Sequence, residues 1–125
     1  MIQKFVARLE QSITSNPVVL SSDIKKYFSP HDDAAYIRGV VLFTDASSLD
    51  LSLFIQKTGR LLSVDKYRFH YMDRQNRMIF RYDNAPHHPD LTSFPHHKHI
   101  NNRTISASFK ELSDILEEIS AIILQ

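Results

Sequence analysis

The chain contains no cysteine, no tryptophan and only two glycines. Without cysteine there is neither a disulfide framework nor a thiol nucleophile, and the composition suits a reducing cytoplasm, the expected location. With Gly39 and Gly59 as the sole glycines, no Walker-type phosphate cradle can be built, because backbone N–H groups need several glycines to approach a phosphate closely. That excludes an ATP-dependent transferase of that kind, although modification of RNA or a nucleotide by another route stays open. No run of about 18 apolar residues occurs, so no transmembrane helix and no membrane partner are expected. The N-terminal residues alternate charged and apolar types and lack a signal-peptide core. Charge is balanced as well: 15 Lys and Arg against 14 Asp and Glu leave a formal +1, too little for bulk attraction to nucleic acid. Its distribution is uneven. From Arg60 to Arg81 there are six cations against Asp65 and Asp73, a basic stretch that suits an anionic ligand. At 125 residues, the chain is expected to form a single domain over 1–125; its oligomeric state is open.

What the sequence has in quantity is histidine in one place. Five of seven histidines lie between His87 and His99, accompanied by Arg81, Tyr82, Asp83, Asn84 and Lys98. Imidazole changes protonation near neutral pH and is the commonest nitrogen ligand of transition metals. Pro86, Pro89 and Pro95 break regular structure here and limit the entropy lost when the histidines are ordered. The segment is read as the active or binding site. His31, beside Asp32 and Asp33, reads as an ordinary surface histidine.

Periodicity frames this segment. Ile2, Phe5, Val6, Leu9 and Ile13 fall at helical spacing, ended by Asn16-Pro17. Val18 to Tyr27 is ambiguous, and Ser22 or Asp23 would suit the cap of a helical turn. Strand character follows in Ala35 to Phe43, in the alternating Leu49, Leu51, Leu53 and Ile55, in Leu62 to Met72, and in Arg77 to Asp83. Tyr67, Phe69 and Tyr71 share a face, read as core rather than as a base-stacking platform, which leaves Arg68 and His70 on the other. His96 to Asn101 is expected to return as a short edge strand. Ser108 with Glu111 resembles a capping box, opening a helix with Leu112, Ile115, Leu116, Ile119, Ile122 and Ile123 on its apolar stripe. The expected fold is α+β: a small antiparallel meander of about four to five strands, packed by N- and C-terminal helices.

Two chemistries fit the histidines. In an extended chain His97 and His99 point the same way; with His87, or His88 in its place, they would supply three nitrogens to zinc, manganese or nickel. Alternatively, two histidines act as base and acid in RNA cleavage by the 2′-hydroxyl, with Arg81 or Lys98 stabilising the phosphorane. His97 and His99 are the first choice for that pair and His87 or His88 the second. Tyr82 would donate a proton or bind phosphate, while Arg68, His70, Asn84 and Lys98 would hold substrate. Asp83 suits a metal ligand, a histidine orienter or a partner of Arg81. The bland alternative is a proline-stiffened loop whose imidazoles bond backbone carbonyls, and Asn84 before Ala85-Pro86 often only stabilises a turn.

The runs Tyr67 to Asp73, Ile79 to His88 and Phe94 to His99 resemble the TumE family, most closely over about residues 60 to 100. The resemblance implies the toxin of a toxin–antitoxin pair, held inactive by a cognate antitoxin, and marks Arg81, Tyr82, Asn84, His87, His88, His96, His97 and His99 as functional positions. The chain departs from the family in one respect. Members commonly carry an acidic residue in the strand after the first turn, whereas Asp50, the one acid in Leu49 to Ile55, comes early, which would make a weakened member. The reading is therefore a toxin acting as a ribonuclease, with RNA and an antitoxin as partners. The alternative is a non-catalytic metal- or nucleic-acid-binding module that regulates its operon with the antitoxin.

Overall fold

Every consecutive pair of strands in this chain is antiparallel and hydrogen-bonded, so the sheet is a seven-stranded meander in sequence order. The computed structural model describes all 125 residues. Helix α1 (Ile2–Thr14) precedes β1 (Val19–Phe28), β2 (Ala34–Phe43), β3 (Ser48–Thr58), β4 (Leu61–Met72), β5 (Met78–Asp83), β6 (His97–Ile100) and β7 (Arg103–Ser106); α2 (Leu112–Ile123) closes the chain. Both helices cover the same face of the sheet. Their buried residues, among them Ile2, Val6, Leu112 and Ile115, join Leu49, Leu51, Tyr67, Phe69, Tyr71 and Phe80 in one core. Tyr67, Phe69 and Tyr71 are core residues, as their alternation predicts.

The α+β class and the flanking helices agree with the sequence pattern, but the strand count is higher, for two reasons. Val18 to Tyr27 forms β1 rather than a helical turn. Its pattern is weak because β1 is an edge strand on which Ile24 is the main inward residue, so ladder pairing with β2 decides its conformation. Gly39 permits this pairing: a Cβ there would lie 2.3 Å from the Asp23 carbonyl and 2.6 Å from Ile24 Cδ1. At the other end β6 is not an edge, because β7 pairs with it. Asn101 and Asn102 both take positive φ, 52° and 61°, the conformation of a two-residue hairpin turn that asparagine tolerates. The frame of the C-terminal cap also shifts by three residues. Glu111 is the N-cap, and its N–H donates to Asp114 at 2.9 Å. Phe109, left outside the helix, packs edge-on against Tyr67.

Candidate functional site

Alternation sends one set of side chains into the core and the other to the face without helices. On that open face the register aligns residues far apart in sequence. Asp50 lies opposite His70, His70 opposite Arg81, and Arg81 opposite His99. In the adjoining row Ser52, Arg68, Asp83 and His97 align in the same way. The proline-rich connection between β5 and β6 folds over these rows and is pinned to the end of β7, where Ser93 Oγ accepts from Ala107 N–H at 3.0 Å. It completes a cleft of about 600 Å³ whose lining includes Arg68, Arg81, Asp83, His88, His97 and His99.

At the centre is His97, 2% exposed. Its Nδ1 lies 2.9 Å from the Pro95 carbonyl and its Nε2 2.8 Å from Asp83 Oδ1. A carbonyl only accepts, so Nδ1 carries a proton; a carboxylate at Nε2 then calls for a second proton shared between ring and acid. Asp83, itself buried, also accepts from Ala85 N–H at 3.0 Å and lies 3.2 Å from Arg81 Nε. That Arg81 contact is ionic: Nε is enclosed and makes no hydrogen bond.

His99 is the opposite case. Arg81 Nη2 approaches its Nε2 at 3.3 Å, and a guanidinium can only donate. Nε2 therefore accepts, the proton sits on Nδ1, and Nδ1–H donates to Thr104 Oγ1 at 3.2 Å. Burial, then the positive charge of Arg81, holds the His99 pKa below its ordinary value and keeps the ring neutral. The neighbouring carboxylate, with Oδ2 3.5 Å from Nε2, pulls the other way and is outweighed. The rings of His97 and His99 stand 4.8 Å apart, and His88 from the loop lies 5.0 Å from the first and 5.9 Å from the second.

The structure thus brings together His88, His97, His99, Arg81, Arg68 and Asp83. His87 lines the cleft but is exposed. The tight turn in which its N–H bonds to the Ala85 carbonyl leaves His88, not His87, as the third member of the trio. His70 lies in the same face with its Nδ1 buried and unpartnered; burial, then Arg68 and Arg81, lowers its pKa. Asn84 lines the cleft, yet its amide is engaged at both ends by β4, accepting from Tyr67 N–H at 3.0 Å and donating to the Asp65 carbonyl at 2.9 Å. Asp50, early by sequence position, reaches the cleft margin through register and lies 3.5 Å from Arg68 Nη1.

Three residues of the histidine segment or its flank fall on the other side of the sheet. Tyr82 and Lys98 both bind Glu118 of α2, at 2.7 and 3.0 Å, and the Lys98 ammonium lies 4.8 Å from the Tyr82 ring centre. Burial works to lower the Lys98 pKa, but its bonds to Tyr82 and Glu118 outweigh that and raise it. His96 stacks on Tyr67 and accepts or shares its phenolic proton at 2.8 Å. Burial, with Asp83 adding, pushes the Tyr67 phenol up to about 12. Strand alternation is the reason: Tyr82 and Lys98 are each one residue from a cleft residue and so face the core. Thr104 is the partner that the sequence did not single out, because it sits on the unanticipated β7. Asp83, which the sequence offered as a histidine orienter or a partner of Arg81, makes both of those contacts.

The comparisons with known proteins give the class first: residues 7–124, nearly the whole chain, match a family model described as a toxin. That model is Toxin TumE, and the chain belongs to the TumE family. Its role is that of a toxin, which implies an antitoxin as partner. No curated protein and no solved structure matches the chain. No helix is long and apolar enough to cross a membrane.

Proposed function

We propose that this toxin is a ribonuclease that works by histidine acid–base chemistry in the cleft over β4, β5 and β6. The reading rests on one relationship: His99, whose Nε2 accepts from Arg81 at 3.3 Å, shares the cleft with the half-buried His88, whose ring centre lies 5.9 Å away. Acid–base cleavage needs one group to take a proton and a second to give one within reach of the same phosphate.

The proposed reaction is attack of a ribose 2′-hydroxyl on the adjacent phosphorus. His99 Nε2 takes the hydroxyl proton, the 2′-O–P bond forms and the P–O5′ bond breaks. The departing oxygen receives a proton from His88, which is more exposed than His97 and lines the cleft. The products are a 2′,3′-cyclic phosphate and a free 5′-hydroxyl. Arg81 occupies the lone pair of His99 in the free protein; an arriving phosphate draws the guanidinium away, freeing Nε2 and placing a cation on the phosphorane. Buried His97 with Asp83 orients Arg81 and the neighbouring rings rather than touching substrate.

The metal reading has its own support, since one ligand atom from each of His88, His97 and His99 lies within 4.8 Å of the others. Two contacts weigh against it. His99 has Nε2 against a guanidinium at 3.3 Å and Nδ1 against Thr104 Oγ1 at 3.2 Å, and both nitrogens of His97 are already engaged. A dication there must displace a cation and break a buried pair. The deciding experiment is cleavage of a fluorescent RNA by tag-free toxin in the presence of chelator, with metal content measured on the same sample. Cleavage that persists, and vanishes in His99→Ala, supports acid–base catalysis. Stoichiometric metal with chelator-sensitive cleavage would make the trio a metal centre. Metal or RNA binding without cleavage would favour a non-catalytic module acting with the antitoxin.

A further inference from the structure

The open face of the sheet carries a second feature beside the histidine cleft. Tyr27 on β1 pairs with Tyr36 on β2, Tyr36 with Phe54 on β3, and Phe54 with Lys66 on β4. Four consecutive strands therefore present one transverse row of three aromatic rings ending in an ammonium. The two tyrosines are stacked, with centroids 6.2 Å apart and planes 22° from parallel. They are 49% and 41% exposed, although a sheet of this size has a covered face that would have taken them. Tyr36, Phe54 and Lys66, with Ser52 and Leu53, line a cavity of about 430 Å³. Ser52 and Lys66 also line the histidine cleft, so the two depressions adjoin and share a wall.

We propose that this row is a stacking subsite for a base of single-stranded RNA, next to the phosphate held at Arg81. The identity of the neighbouring phosphate as the scissile one rests on the ribonuclease reading; the subsite itself does not. Exposed aromatic faces accept any base by stacking, and nearby cations take the backbone. The charges around the row are of that kind. Lys25, Arg38 and Arg68 occupy the adjoining row, and Lys66 ends the aromatic one. Lys25 and Arg68 have acidic neighbours at 3.6 and 3.5 Å, whereas Arg38 and Lys66 form no ion pair. Two cations left without a carboxylate partner beside the rings are complementary to a polyanion, which favours RNA over the antitoxin as the occupant. A strand of RNA laid across β1 to β6 would then have one base on Tyr36 and Phe54, its phosphate between Lys66 and Arg68, and the next phosphate over Arg81.

The test uses the full-length toxin and a short fluorescent oligoribonucleotide that is 2′-O-methylated throughout, which binds but offers no 2′-hydroxyl for cleavage. The double variant Tyr27→Leu/Tyr36→Leu keeps apolar area and removes the ring faces. It is expected to weaken binding roughly tenfold or more, from the usual value of one base stack. Tyr27→Phe/Tyr36→Phe is expected to bind as wild type does. Removing Arg38 or Lys66 is expected to flatten the salt dependence of binding by about 0.7 in log–log slope each. Unchanged binding by the leucine double variant overturns the subsite whether or not the toxin cleaves RNA. Loss of antitoxin binding with unchanged RNA binding also overturns it and assigns the face to the antitoxin. RNA binding that depends on the rings, in a protein that never cleaves unmodified RNA, leaves the subsite standing and sinks the ribonuclease reading. Should the leucine variant not fold, photo-crosslinking of 4-thiouridine RNA to wild-type toxin decides the matter: adducts on the Tyr27 or Tyr36 peptides support the subsite, and adducts confined to other peptides overturn it.

Discussion

His97 and Asp83 face each other across β5 and β6, with Nε2 and Oδ1 2.8 Å apart and both side chains nearly closed to solvent. Cutting either partner strands the other. Asp83→Ala is expected to destabilise the fold by about 3 kcal/mol, since the pair is buried and Ala85 N–H loses its acceptor as well. Asp83→Asn keeps an oxygen at the same place and is expected to cost less, about 1 kcal/mol. Urea unfolding of the two variants beside wild type measures the difference; equal stability of Asp83→Ala and wild type would remove the pair from the account of this site.

His99 tests the proposed chemistry most directly. His99→Ala is expected to lower the cleavage rate roughly a hundredfold to ten-thousandfold while the toxin stays folded and still binds antitoxin. A variant that cleaves at the wild-type rate would exclude His99 as the base.

Arg81 is expected to act differently from a simple phosphate clamp. Arg81→Lys keeps the charge but not the fork that reaches both His99 and Asp83. Its cleavage rate should fall even at saturating RNA, and the acidic limb of its pH–rate profile should move to higher pH, because a cation that helps to hold the His99 pKa down has been displaced. A change in KM alone would make Arg81 a binding residue only.

Acid should weaken the fold through His70 and His99. Both have pKa values below the ordinary 6.5, largely through burial. The unfolded chain therefore takes up their protons first as pH falls. Stability is fully present above 6.5 and is lost as pH drops from there through the lowered native values. Urea midpoints should hold steady above about pH 6.5 and decrease as pH falls below it, and the decrease should shrink in His70→Gln. A flat profile would contradict the burial of these rings.

Glu118 offers the contrast on the covered face. Glu118→Gln weakens the bonds that tie Tyr82 and Lys98 to α2 and is expected to cost about 1 kcal/mol with the cleavage rate per folded molecule unchanged. A large loss of rate with little loss of stability would bring the covered face back into the chemistry.

Local periodicity was enough for the class of fold, both helices, the middle strands and the neighbourhood of the site: apolar residues recur every second position in β3 and β4, and every third or fourth in α1 and α2. Family membership was legible in the runs around His70, His88 and His97. Which histidines meet, by contrast, is settled by packing in three dimensions. His96, His97 and His99 are near neighbours in the chain, yet His96 faces the helices while His97 and His99 face the cleft, and a turn of the loop selects His88 over His87. The alignment of Asp50, His70, Arg81 and His99 in one row has the same origin, since register between strands is set by pairing and not by distance along the chain. Edge strand β1 and hairpin strand β7 were illegible for that reason too: with little of their own to bury, they are strands because a neighbour supplies the hydrogen bonds.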